Sequence, residues 1–188
     1  MPKNVNEVHV GVGALYTAPV GTTIPTDLAV PAAPWVHVGY TDGGFRFTYG
    51  TEELEVPADQ SLDPILIIQT ARNLRIATTL LQVIPDNLVL AFGGGTITAA
   101  TGYSIYTPPE IGEEEEVALY FQLVDETSGA PVRLIIRRAK RQGDSEISFS
   151  KAEAAKVGVE WRALDPGLSS DPTPVQLPVA EFRVVDTP

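Results

Sequence analysis

Two histidines, a run of four glutamates, two glycine runs and one basic run are where this sequence could do chemistry. His9 and His37 fall in strand-like stretches, where a neighbouring carboxylate would complete an acid–base couple. Neither has a second histidine at ligand spacing, so each reads better as a strand histidine with a hydrogen-bond partner than as a metal ligand. Glu113-Glu114-Glu115-Glu116 invites a cation. Consecutive carboxylates on extended chain point to opposite faces, however, and cannot converge on one ion. The basic run Arg137-Arg138-Ala139-Lys140-Arg141 is a simpler partner. If the chain turns near Ser128, the two runs face each other as cross-strand pairs, each contributing roughly 0.2–1 kcal/mol. The basic run carries no interleaved aromatic platform for nucleic acid.

The glycines are no better as ligand loops. Gly11-Val12-Gly13 lacks the third glycine and following helix of a dinucleotide fingerprint. Gly93-Gly94-Gly95 follows a predicted helix, so its amides gain no helix N-terminus for phosphate. With 24 acidic residues, a glycosidase pair can always be picked out, and nothing selects one. The absence of cysteine excludes disulfides, thiolate metal sites and thiol catalysis. No catalytic, cofactor-binding or metal-ligating residue is assigned, and an enzyme is not expected.

The elements that would position these groups are short and mostly extended. Val8–Leu15 alternates as a first strand. An irregular stretch, Thr17–Pro34, follows with Pro19, Pro25, Pro31 and Pro34, and should lie on the surface or against a neighbour. Trp35–Tyr40 and Phe45–Tyr49 are expected to form a hairpin around Asp42-Gly43-Gly44. Glu52–Ile68, broken by Pro57 and Pro64, reads as a long loop. Arg72–Gln82 is a strand with Leu74, Ile76 and Leu80 on one face. Pro85 opens a short helix through Phe92, stopped by the glycines, with Leu88 and Phe92 as its buried contacts. Val117–Val124 and Val132–Ala139 should pair as a hairpin. Ser150-Lys151-Ala152-Glu153 matches a capping box and predicts a second short helix. Strands at Val157–Leu164 and Val179–Val185 complete the chain. Elements this short need two packed sheets or a barrel to bury a core. No repeat or second domain is evident, so residues 1–188 are expected to form one domain.

The formal charge of −11 opposes the counterion-releasing grip that a general DNA binder needs. No apolar run reaches the roughly 18–20 residues of a membrane span. The first residues are polar, without the apolar core of a signal segment. A soluble protein made in the cytoplasm is expected.

The order of landmarks adds a family. Gly13-Ala14-Leu15-Tyr16-Thr17-Ala18-Pro19-Val20-Gly21-Thr22-Thr23-Ile24-Pro25-Thr26-Asp27-Leu28, then Trp35, Gly39 and Gly43-Gly44, resembles the opening of major tail tube proteins of siphophages, particularly actinobacterial phages. The likeness runs on through Glu52–Asp63, Arg72–Leu81, the Asn87-Leu88 helix, Phe149–Lys156 and the strand bearing Trp161. It implies a β-sandwich or barrel of tail-tube type with one or two short helices and long interface loops. It implies a virion subunit that polymerises into stacked hexameric rings, a conduit for DNA ejection. Six subunits would carry about −66, opposing adhesion of DNA as it passes through the lumen without specific binding. The chain would partner itself, a tape measure protein, a tail terminator and tail-tip proteins, with assembly in the host cytoplasm. Thr22, Pro25 and Asp27 in the first long segment, and Glu52, Glu53, Glu55, Asp59, Gln60 and Asp63 in the second, are the expected subunit-interface residues. The rival readings are a carbohydrate-binding β-sandwich presenting Tyr16, Trp35, Tyr40, Tyr103 and Tyr106, or another tail component such as a terminator or decoration protein.

Overall fold

A computed structural model describes residues 11–26, 30–60, 62–125, 131–151, 154–167 and 176–184. Along the chain the elements are β1 (Gly11–Pro19), β2 (Val36–His37), β3 (Thr41–Val56), β4 (Leu66–Leu80), α1 (Pro85–Phe92), β5 (Thr96–Ala100), β6 (Tyr103–Thr107), β7 (Glu116–Asp125), β8 (Pro131–Arg141), β9 (Ile147–Ser148), β10 (Lys156–Ala163) and β11 (Ala180–Val184). The fold is mostly β, with a nine-stranded antiparallel sheet in the order β2-β1-β7-β8-β10-β4-β3. Strand β11 joins β8, β9 joins β10, and β5 and β6 form a separate ribbon.

Alternation decides which side of each strand is buried. On β10, Val157, Val159, Trp161 and Ala163 point into the core while Arg162 stays exposed. On β4, Leu74, Ile76 and Leu80 do the same. The sheet curls, as strand twist favours. Phe45 of β3 stacks on Phe121 of β7 at 4.5 Å, although β4, β10 and β8 lie between those strands in the sheet order. Phe47 meets Phe182 of β11 edge-on at 5.2 Å. The space so enclosed holds Leu15, Ile76, Leu80, Leu119, Ile136 and Trp161, and Ala91 of α1 packs into the same cluster.

A second cluster, Tyr16, Ala18, Trp35, Ala118, Tyr120 and Ile135, lies on the opposite face of β1, β7 and β8. Those strands are therefore buried on both faces. The irregular Pro-rich segment helps to cover the second cluster. Trp35 packs on Tyr120 at 5.6 Å, and its indole N–H donates to the Thr23 carbonyl at 3.1 Å.

Several expectations change. The first strand runs on to Pro19, beyond the expected end at Leu15, and residues 1–10 are outside those described. Trp35–Tyr40 keeps only two strand residues, which pair with β1, not with Phe45–Tyr49. Asp42-Gly43-Gly44 is not a hairpin turn. It is a bulge within β3, where Gly43 (φ 69°) and Gly44 (φ 78°) shift the register against β4. Glu52–Ile68 is not a loop. Its two ends are the outer halves of β3 and β4, while Pro57 and Pro64 sit in the connection, where no ladder bond is needed.

Helix α1 has the expected bounds, with Pro85 in the first turn and Gly93 left-handed at its end. Its buried residues are Asn87 and Ala91, however, while Leu88 and Phe92 are half-buried. The Asn87 side-chain amide donates to the Gln82 carbonyl at 2.9 Å, a bond that favours turning this polar group inward. The capping box at Ser150 lies partly outside the described residues, which lack 152 and 153, and β10 begins at Lys156. The β5–β6 ribbon was not foreseen.

Candidate assembly surface

Strands β3 and β4 form one long hairpin whose base is packed and whose outer part is an arm in solvent. Up to the Tyr49–Leu74 pair, Phe45, Phe47, Leu74 and Ile76 hold the ribbon to the core. Beyond it, every residue from Thr51 to Glu55 and from Leu66 to Thr70 is exposed. At about 3.4 Å per residue, Gly50–Val56 alone extends ~20 Å. A register shift between Glu52 and Glu53 leaves Thr70 as the extra residue, and its hydroxyl donates to the Glu52 carbonyl at 3.2 Å.

Register makes the arm two-faced. Leu54 pairs with Ile68 and Val56 with Leu66, so these four aliphatics share one face. Glu53 pairs with Gln69 and Glu55 with Ile67 on the other. Leu54, Leu66, Ile67 and Ile68 are 54%, 52%, 52% and 44% exposed, and Ile65 and Leu62 near the tip are more so. An isolated two-stranded ribbon is at best marginally stable in water. Contiguous exposed aliphatics of this kind mark a surface that another body covers.

The expected interface residues fall into two groups. Glu52, Glu53 and Glu55 line the arm, and Asp59, Gln60 and Asp63 are exposed at its tip. Thr22 and Pro25 belong to the Pro-rich segment. There the Thr22 hydroxyl donates to the Pro19 carbonyl at 2.7 Å, and the Pro25 carbonyl accepts from Arg183 of β11 at 3.0 Å. Asp27 lies outside the described residues. Reading for polar loop residues missed the aliphatics Leu54, Leu66, Ile67 and Ile68. The signal was present in Ile65-Leu66-Ile67-Ile68, an apolar run too long for an ordinary surface loop.

The remaining chemical candidates are structural. Glu116 and Arg138 form a two-pronged pair at 2.6 and 2.9 Å, and Glu114 reaches Lys140 at 3.2 Å, the expected meeting of the acidic and basic runs. Hydrogen bonding to Arg138 holds the Glu116 carboxyl below its ordinary range, Lys140 does the same for Glu114, and Arg138 is raised in turn by Glu116. The His37 Nδ1 accepts from the Gly39 amide at 3.0 Å, and its ring meets Tyr16 at 5.0 Å. His9 is outside the described residues. Tyr16 and Trp35 are buried and Tyr106 rests on Phe92, leaving Tyr40 and Tyr103 as the exposed members of the proposed sugar platform. Among the described residues no three His, Asp or Glu side chains gather to hold a metal ion, and no helix is long and apolar enough to cross a membrane.

Comparison with known families finds one described as "Phage tail tube protein", whose model matches residues 1–173. No curated protein matches the chain.

Proposed function

The chain belongs to the phage tail tube protein family, and on that premise we propose that it polymerises through the β3–β4 arm into the stacked rings of a siphophage tail tube. The family makes it a structural subunit of the virion tail that self-assembles into a tube. The observation that carries the finer reading is the arm, with Leu54, Val56, Leu66 and Ile68 on one side of a ribbon that nothing in its own chain covers among the described residues. A neighbouring copy supplies the missing cover. Each contact is heterologous, one set closing the ring and another stacking ring on ring. Six copies around the ring is the symmetry proposed.

Obligate contacts of this kind bury roughly 2,000 Å² or more, which must outweigh repulsion between copies. The charge of −11 per copy keeps DNA from adhering to the conduit during ejection. Tape measure, terminator and tail-tip proteins are the proposed partners at the tube's interior and ends, with assembly in the host cytoplasm. The test is negative-stain electron microscopy of the purified protein, concentrated across a salt series. Hollow tubes or stacked rings of uniform diameter are expected. Dispersed single copies at every concentration and salt, with or without added tape measure protein, refute polymerisation as its role.

A further inference from the structure

The sheet face turned away from the main core carries a row of cations whose central member, Arg162, is left without an ion pair among the described residues, while Glu114 and the facing Glu116 serve Lys140 and Glu160 serves Arg75. Register places Lys140 of β8 beside Arg162 of β10, and Arg162 beside Arg75 of β4. Three positive side chains thus stand next to one another across three adjacent strands. Arg46 of β3 lies on the same face, opposite Ala77, which in turn pairs with Glu160. Like charges directly opposite on neighbouring strands repel, so a single fold gains nothing from this row. Its neutralisation is uneven. Lys140 is held by Glu114 at 3.2 Å and Arg75 only loosely by Glu160 at 3.6 Å. Arg162, at the centre, is exposed and forms no ion pair among the described residues.

The same chain carries the opposite imbalance. From Phe47 to Ala71 there is no Lys, Arg or His, while Glu52, Glu53, Glu55, Asp59 and Asp63 supply five carboxylates. All five are exposed on the arm or at its tip. Strands in a sheet stand about 4.8 Å apart, so Lys140 to Arg75 spans ~10 Å, and Glu53 and Glu55 stand ~7 Å apart along theirs. Long guanidinium side chains bridge the difference. We propose that the Glu53/Glu55 face of the arm of one copy docks on the Arg75/Arg162 face of a second copy. The proposal rests on the polymerisation argued above and names the receiving surface. The arm's apolar side remains free for the burial already assigned to it. The anion on this face is the arm and not a nucleic acid phosphate, because every copy brings its own carboxylates and the −11 of each chain repels a duplex.

A charge exchange tests this. One variant reverses the face (Arg75→Glu with Arg162→Glu), and the other reverses the arm (Glu53→Arg with Glu55→Arg). Unchanged melting midpoints establish that both fold. Each alone is expected to raise the concentration needed for assembly at low salt by roughly tenfold or more, as facing like charges would. An equimolar mixture restores assembly, because each arm then meets a face of opposite sign. A face-reversed variant that assembles at the wild-type concentration, or a mixture no better than its components, overturns the docking and leaves the tube reading standing. If face reversal spares assembly but abolishes binding of a short DNA duplex, the cations serve phosphate and the docking is likewise overturned. A wild-type protein that never associates removes the polymerisation premise itself.

Discussion

Leu54→Thr with Ile68→Thr isolates the apolar side of the arm. These residues are direct cross-strand partners, so the pair changes one patch and leaves the five carboxylates in place. Threonine is β-branched, a shape that an extended ribbon tolerates. In the single chain, Leu54 is 54% and Ile68 44% exposed, so about half of each side chain remains to be covered by a neighbour. Full burial of Leu or Ile is worth roughly 1.5–3 kcal/mol, which leaves about 1 kcal/mol each for the assembly contact. Losing both costs ~2 kcal/mol per arm, a factor of about 30 in the association constant, with some non-additivity because the two touch. The single chain loses little, since neither residue is in its core. The assay is pelleting of assembled protein over a concentration series, with thermal unfolding of the dispersed protein as control. The expected result is a rise of about thirtyfold in the concentration needed for assembly. An unchanged threshold with an unchanged melting midpoint refutes burial of this face in the assembly.

Three further outcomes test the fold that holds the arm. Ile76→Ala empties a fully buried position on β4 and should cost about 2–5 kcal/mol, read as a lower urea midpoint at unchanged slope. Gly95→Ala places a Cβ against the Thr107 carbonyl at a φ of 107°, and should lower the melting midpoint by several degrees through roughly 1–3 kcal/mol of strain. Glu116→Gln removes a carboxyl whose folded pKa lies below its unfolded one. Its contribution is therefore complete above the ordinary glutamate value of 4.5 and disappears as pH falls through the lowered folded value. For this half-exposed pair the loss is about 1 kcal/mol or less near neutrality, and melting curves of variant and wild type should converge in acid.

What could be read from the residues alone was whatever depends on local pattern. Alternation marked β4, whose Leu74, Ile76 and Leu80 repeat every two residues on its buried face. Proline and glycine bounded α1, because one suits a first helical turn and the other a left-handed end. Opposite charge in two short runs indicated that the runs meet, as Glu116 and Arg138 do. The order of landmarks also carried the family. Tertiary structure decided the rest. Gly43-Gly44 has the composition of a turn, but pairing with β4 makes it a bulge in a strand of 16 residues. The segment Glu52–Ile68 resembled a loop because of its Glu-rich start and of Pro57 and Pro64, but both prolines fall in the connection between two paired strands, where no ladder bond is needed. The cation row of Lys140, Arg162 and Arg75 comes from three strands distant in the chain. Only strand pairing sets them side by side, since charges so far apart in sequence become neighbours only through the sheet's register.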